Sequence, residues 1–284
     1  LQIAPSGYRC HAARKRKPEL LCARAKRDET LMPQIQAVWQ ANMQVYGADK
    51  VWHQMNREGN KVARCTVERL MKRLGLHGVR RGKVIRTTVP DKAAPCPLDR
   101  VNRQFKADRP NQLWVSDFTY VSTWQGWQYV AFVIDVFARR IVGWRVSSSM
   151  RTDFVLDALE QALFDRQPER SDALIHHSDR GSQYVSILYT ERLAEAGIEP
   201  SVGSRGDSYD NALAETINGL YKAELIHRRA PWKTKEALEL ATLEWVAWFN
   251  HHRLLSSIGY IPPAEAEVNY YRQLAGKNET EVST

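Results

Sequence analysis

At 284 residues, with 43% hydrophobic and 10% aromatic side chains, the chain is globular rather than disordered and long enough for one large domain or two ordinary ones. No run approaches the ~18 apolar residues of a membrane span, and the start lacks a signal peptide's apolar core, because the charged run Arg14–Lys17 follows within the first turns. The net charge of +9 is uneven: residues 1–90 hold 19 Lys/Arg against 6 Asp/Glu, and the remainder 22 against 26, so a polyanion-binding front half joined to a slightly acidic back half is expected.

The four cysteines (Cys10, Cys22, Cys65, Cys96) are scattered without a Cys-x-x-Cys pair, which argues against disulfides and a zinc finger and fits a reducing cytoplasm. Residues 1–29, with Arg14-Lys-Arg-Lys17 and Arg24-Ala-Lys-Arg27, read as a loosely helical basic arm that either touches phosphates without reading sequence or is simply solvated. From Thr30, Leu31, Ile35, Val38 and Trp39 recur at helical spacing up to Tyr46-Gly47. A second helix is predicted from Asp49 as N-cap to a Gly59-Asn60 turn. A third turns Val67, Leu70, Met71 and Leu74 inward, stops at Gly75, and leaves Arg64, Arg69, Lys72 and Arg73 on its open face, with Arg80 and Arg81 just beyond. Short helices with a basic final face, over 30–80, read as a helix-turn-helix-like DNA-binding domain; a solvated helical bundle shows the same spacing. Residues 81–110, with Pro90, Pro95, Pro97 and Pro110, read as a semi-extended linker.

The back half opens with three apolar β-rich runs, 113–122, 127–135 and 139–147, joined by turns at Gln125-Gly126 and between Asp135 and Arg140. A helix over 152–167, a strand over 173–177, a helix over 183–196, a short strand near 198–202, a glycine-containing loop and a helix from Asn211 follow. This order predicts an α/β fold, a mixed five-stranded sheet with helices on both faces, and it matches the RNase H-like fold. In that fold the first and fourth strands lie side by side in parallel. The expected core spans 111–268, including an amphipathic helix over 235–249, and 269–284 is expected to be a polar tail that frays.

Three carboxylates carry the chemistry. Asp117 sits in the strand-like Leu-Trp-Val-Ser-Asp-Phe-Thr-Tyr-Val, Asp179 follows Ile-His-His-Ser, and Glu215 closes Ser-Tyr-Asp-Asn-Ala-Leu-Ala-Glu, 35 residues lying between the last two. Carboxylates flanked by apolar residues need a partner to stay charged, and hard divalent cations, which take oxygen ligands, are the obvious one. Lys222, seven residues beyond Glu215 on the same helix face, is placed to hold a phosphate. His177, Asp210 and Asn211 are expected to support this centre rather than ligate. For Asp135 a turn role outweighs a ligand role, and Asp210 reads equally well as a helix N-cap. His251-His252 lacks partners at ligand spacing and reads as surface. Most of the nine tryptophans are core candidates; Trp124 and Trp127, flanking a turn, either pack or stack on DNA.

These motifs resemble a known family. Trp114-Val-Ser-Asp-Phe-Thr-Tyr, Ile134-Asp-Val-Phe-Ala-Arg-Arg-Ile-Val-Gly-Trp144, His177-Ser-Asp-Arg-Gly-Ser-Gln-Tyr184, Tyr209-Asp-Asn-Ala-Leu-Ala-Glu215 and the closing Pro-Pro-Ala-Glu265 are similar to the OrfB half of IS-three group insertion-sequence transposases, whose core is similar to retroviral integrase. Residues 45–58 resemble that family's helix-turn-helix region, while Leu254-Leu255 departs from a His or Pro often found nearby. The resemblance implies a DDE transposase. Its catalytic and metal-binding residues would be Asp117, Asp179 and Glu215, with two Mg²⁺ ions (Mn²⁺ as substitute), and it would cleave DNA and transfer strands. It further implies DNA as partner, at least a dimer on DNA, a cytoplasmic, nucleoid-associated setting, and an OrfA partner or fusion, with which a first residue Leu1 is consistent. A catalytically silent regulator and a plain nuclease are the rival readings.

Overall fold

The computed structural model describes residues 4–80, 106–169, 173–179, 183–184, 186–202 and 212–282, with side chains from 278 onward left aside. The chain divides into two compact units, Leu1–Val79 and Arg80–Thr284. No helix among the described residues is long and apolar enough to cross a membrane.

The first unit is all helical. α1 (Pro5–Arg16) buries nothing, as its run of basic residues dictates. α2 (Ala23–Ala41) begins seven residues before the predicted start at Thr30, because Ala-Arg-Ala-Lys-Arg are good helix formers and nothing before Thr30 interrupts them. It ends before the predicted Tyr46-Gly47, because Met43 and Gln44 take φ of 52° and 60°, in the left-handed region where no helix continues. α3 (Ala48–Arg57) is capped by Gly47 rather than Asp49, which instead sits in the first turn, where its charge favours the helix N-terminus. α4 (Arg64–Leu74) ends on Gly75 at φ 69°, the left-handed C-terminal position glycine fills best. Leu31, Ile35, Val38, Val51, Met55, Val67, Leu70 and Met71 form the core. The chain after α4 returns beside the start of α3, where Val79 N–H donates to Val45 C=O at 3.0 Å and Gly78 lies so close to Gly47 that a Cβ would stand 2.5 Å from its nitrogen.

The second unit is built on one sheet of order β3-β2-β1-β4-β5. β1 (Leu113–Thr123), β2 (Gly126–Asp135) and β3 (Arg140–Ser147) form an antiparallel meander. β4 (Ile175–Ser178) pairs in parallel with β1, and β5 (Glu199–Val202) in parallel with β4. The connections are helical: α5 (Thr152–Arg166) after the meander and α6 (Ile187–Glu195) between the parallel strands. α7 (Ala212–Tyr221) runs into a π-helical stretch, Lys222–Ile226, and a last turn α8 (His227–Arg229). α9 (Lys235–His251) and α10 (Pro263–Val282) complete the unit.

The alternation of strand side chains divides the core. Trp114, Ala131, Val133 and Val142 face α5 and α6, packing on Phe154, Leu159, Tyr189 and Leu193. Phe132 faces the other way, its ring 5.2 Å from Tyr221 and 6.1 Å from Trp245. The closest approach is at Gly143, where a Cβ would lie 2.0 Å from the Ala158 carbonyl oxygen and 3.0 Å from the Ala162 methyl. β3 can press against α5 only because position 143 has no side chain. Gly143→Ala is therefore expected to cost about 3 kcal/mol through overpacking, read as a lowered urea midpoint; an unchanged midpoint would refute the tight packing.

Two buried ionic groups fasten the last helices. Arg166 reaches Asp135 at 3.0 Å and Glu267 at 2.8 Å, and Arg140 joins Glu267 at 2.6 Å. Asp135 is thus more than a turn residue: its carboxylate accepts from Phe137 N–H at 3.0 Å, as in an Asx turn, and also takes Asn111 N–H and Arg166. Glu224 pairs with Arg253. Glu267 anchors α10, and the segment from 269 on, expected to be a polar tail, continues that helix to Val282.

Candidate active site

Register brings the first two carboxylates together. The last parallel pair between β1 and β4 is Ser116 with Ser178, so Asp117 and Asp179 are the next residues along two adjacent strands. Asp117 lies opposite Phe132 in β2, on the sheet face that meets α7 and α9. Its carboxylate accepts from its neighbour's N–H, Phe118, at 2.8 Å and from Asn218 Nδ2 at 2.8 Å. Asn218 is one turn along α7 from Glu215, so the same helix face that grips Asp117 carries the third carboxylate to it.

The electrostatics follow from this crowding. Burial pushes the Asp117 carboxyl up to about 7, with the Asp179 charge and then the Glu215 charge adding to the push and the two hydrogen bonds opposing it. Glu215, exposed, is also raised, by desolvation and then by Asp179. Lys222, half-buried at the start of the π-helical stretch, is lowered by desolvation and partly restored by Asp117. π-helical turns are recurrent at functional positions. Three acids that repel one another and one cation within their field form a centre that a cation would relieve.

The carboxylates are neighbours but not yet a closed shell: among the described residues no three His, Cys, Asp or Glu side chains are drawn in tightly enough to hold a metal ion. The donor chemistry nevertheless fits a hard divalent cation, since all three are oxygen donors and the buried Asn218 Oδ1 beside Asp117 has no hydrogen-bond partner among the described residues.

The remaining expected residues separate. His177 is wholly buried with Nδ1 3.0 Å from Ser201 Oγ, so it braces β4 against β5. His176 does the same between β4 and β1, with Nε2 2.7 Å from Ser116 Oγ and 3.1 Å from Tyr189 OH, and burial lowers its pKa to about 3, so it stays neutral. Arg81, Asp210 and Asn211 lie outside the described residues. Arg64, Lys72 and Arg73 in the first unit, and Arg80 just after it, are exposed as expected. Arg69 is not on offer in the same way: its guanidinium forks onto Asp28 at 2.8 and 2.7 Å, tying α4 to α2. Asp28 is 6% exposed, and a buried carboxylate requires such a partner.

Two residues escaped the sequence reading. Asn218 could have been found as the residue one helical turn past Glu215. Tyr184, buried, with its hydroxyl unpartnered among the described residues and close enough to Asp117 and Asp179 to feel their charge, stood in a quoted motif but without a role, because nothing in its spacing among glycine, serine and glutamine neighbours ties it to the carboxylates.

The family models agree with this architecture. An integrase core domain model matches residues 107–208, a second integrase core model 196–263, and an HTH-like domain model 26–84. The transposase for insertion sequence element IS629 of Shigella sonnei is 61% identical over 274 residues, 96% of this chain and 91% of that protein. The putative transposase for insertion sequence element IS986/IS6110 of Mycobacterium tuberculosis is 58% identical over 276 residues, 96% of this chain and 98% of that one. Among solved structures, the HTLV-2 integrase catalytic core domain in complex with magnesium aligns with 56% of this chain and 98% of its own at a TM-score of 0.45 and 16% identity. With an RNase H-like integrase core behind a helix-turn-helix-like domain, the chain belongs to the IS-three group of insertion-sequence transposases.

Proposed function

We propose that the chain catalyses divalent-metal-dependent cleavage and strand transfer of DNA at the ends of an insertion sequence, with Asp117, Asp179 and Glu215 as catalytic and metal-binding residues. The observation that carries this reading is the step in register from Ser116–Ser178 to Asp117 and Asp179, with α7 adding Glu215 beside them. When bound, two Mg²⁺ ions, or Mn²⁺ in their place, supply Lewis-acid stabilisation to the attacking and departing oxygens of a phosphodiester exchange. Asp117, Asp179 and Glu215 would hold the ions through their carboxylate oxygens, Asp117 lying in the field of the other two acids. Asn218 fixes the Asp117 carboxylate through its hydrogen bond, and Lys222 offers a cation to a phosphate oxygen that three carboxylates would otherwise repel.

Arg64, Lys72 and Arg73 on the first unit, with Arg80 and Arg81 beyond it, supply phosphate contacts that position the DNA. Arg69 serves α4 by holding it to α2 and contributes to binding indirectly. Two element ends must meet for joining, which calls for at least a dimer on DNA, and an OrfA-type partner or fusion would add a further DNA contact.

The test is a labelled duplex carrying the element end, incubated with the full chain and Mg²⁺ or Mn²⁺. Nicked and joined products are expected from wild type and none from Asp179→Asn. Binding without cleavage by wild type, alone and with an N-terminal partner, would favour a silent regulator; cleavage without joining would favour a nuclease.

A further inference from the structure

The turn between β1 and β2 carries three large aromatic side chains that the core does not use. Tyr120, Trp124 and Trp127 are 56%, 69% and 57% exposed, although aromatics of this size normally bury most of their surface. They are not scattered. The Tyr120 and Trp127 rings meet edge to face at 5.3 Å, and Trp124 occupies the turn between their strands.

Each end of this patch carries a cation. Lys222 Nζ lies 4.7 Å above the Tyr120 ring, and Lys233 Nζ 5.3 Å above the Trp124 ring. The patch is also held rigidly. Trp124 N–H donates to Trp232 C=O at 3.0 Å, Lys235 N–H donates to Gln125 Oε1 at 2.9 Å, and Thr123 Oγ1 donates to Gly126 C=O at 2.7 Å across the turn. A pre-ordered aromatic surface spends little conformational entropy on binding.

Its position relates it to the carboxylates. Tyr120 is three residues along β1 from Asp117, about 10 Å at the rise of an extended strand and on the strand's other face, and Lys222 links the two, feeling the Asp117 charge while lying over Tyr120. Flat aromatic faces interleaved with lysines are the chemistry that takes unpaired bases, because each base offers a π-face and each phosphate a charge. A paired duplex presents its phosphates but keeps its base faces stacked inside, so phosphate contact alone would not need the rings.

We propose that Tyr120, Trp124 and Trp127, with Lys222 and Lys233, form a stacking platform for unpaired bases of the DNA strand that leads away from the catalytic carboxylates. This rests on the proposed DNA strand-transfer reading and assigns the substrate's form: a DNA end whose strands have parted receives a grip that a closed duplex does not.

The experiment compares the full chain's affinity, in EDTA to prevent cleavage, for a blunt duplex of the element end and for the same duplex with three unpaired nucleotides on each strand. Fluorescence anisotropy of labelled DNA reads both. Wild type is expected to prefer the splayed end by about ten-fold. Trp124→Ala/Trp127→Ala is expected to bring that ratio close to one, Trp124→Phe/Trp127→Phe to keep most of it, and Lys233→Glu to reduce it without removing any ring. Phe164→Ala, an aromatic 82% exposed on α5, is the control that keeps the full ratio. A wild-type ratio of one, or an undiminished ratio in the double alanine variant, overturns the platform while leaving strand transfer standing. Wild type that binds neither DNA overturns the strand-transfer reading and the platform with it.

Discussion

Glu215→Gln is expected to abolish cleavage and joining, by at least about a thousand-fold or 4 kcal/mol of transition-state stabilisation, while duplex affinity changes little. The substitution keeps the side chain's length and removes only its charge. Glu215 is exposed on α7, so the amide costs the fold nothing comparable, and the contact that orders the site, Asn218 on Asp117, lies one turn away and survives. What goes is one oxygen donor with a full negative charge at the helix-borne carboxylate of the three. Binding follows other groups, the exposed cations of the first unit, and the loss of a carboxylate near phosphates should if anything help it. Gel-shift affinity and product formation measured on the same preparation separate the two. Equal loss of both would place Glu215 in DNA binding or folding, and full retention of cleavage would remove it from the catalytic group.

The sequence made the strand order legible because each strand of the back half reports its surroundings. The first half of β1 and the second half of β2 are buried on both faces, and the strand boundaries came within a residue or two of the observed ones. The parallel pairing of β1 with β4 is different in kind: no periodicity links residues 62 positions apart, and only the resemblance to a known fold implied it. Partnerships between charged residues were the least legible. Arg69 and Lys72 look alike on a helical wheel, yet a buried Asp28 on another helix claims the first and leaves the second exposed. The Arg166, Asp135, Glu267 and Arg140 cluster likewise joins residues from four separate stretches, and it fastens a C-terminal helix whose sequence from 269 on, polar and without a strong stripe, read as tail. Helix ends failed where backbone decided them: Met43 and Gln44 at positive φ stop α2 although nothing in their side chains announces it.

Metal affinity and stability should move in opposite directions with pH, and Asp117 is the reason. In the metal-free protein its carboxyl titrates at about 7 against an ordinary value of 3.8, a difference worth up to about 4 kcal/mol against the charged form. Between those two values the folded chain holds a proton that the unfolded chain has released, so stability falls as pH rises through the window; below it both states are protonated, and above it the whole penalty is present. A divalent ion takes that proton's place. The apparent Mg²⁺ affinity is therefore expected to rise about ten-fold per pH unit from pH 5 to 7 and to level off above. Thermal melts in EDTA should drop between pH 5 and 8, and added Mg²⁺ should restore the loss at pH 8 far more than at pH 5. Asp117→Asn should flatten the EDTA profile and raise the melting temperature at pH 8 by roughly 3 °C or more, because the amide carries no charge to desolvate and its Nδ2 can turn to the unpartnered Asn218 Oδ1. Asp179→Asn, which removes the neighbouring charge but keeps the burial, should move the same profile to lower pH without flattening it. An EDTA profile that is level in wild type would mean that Asp117 is ionised at ordinary cost, and the crowding of the three acids would then not be what draws a cation to the site.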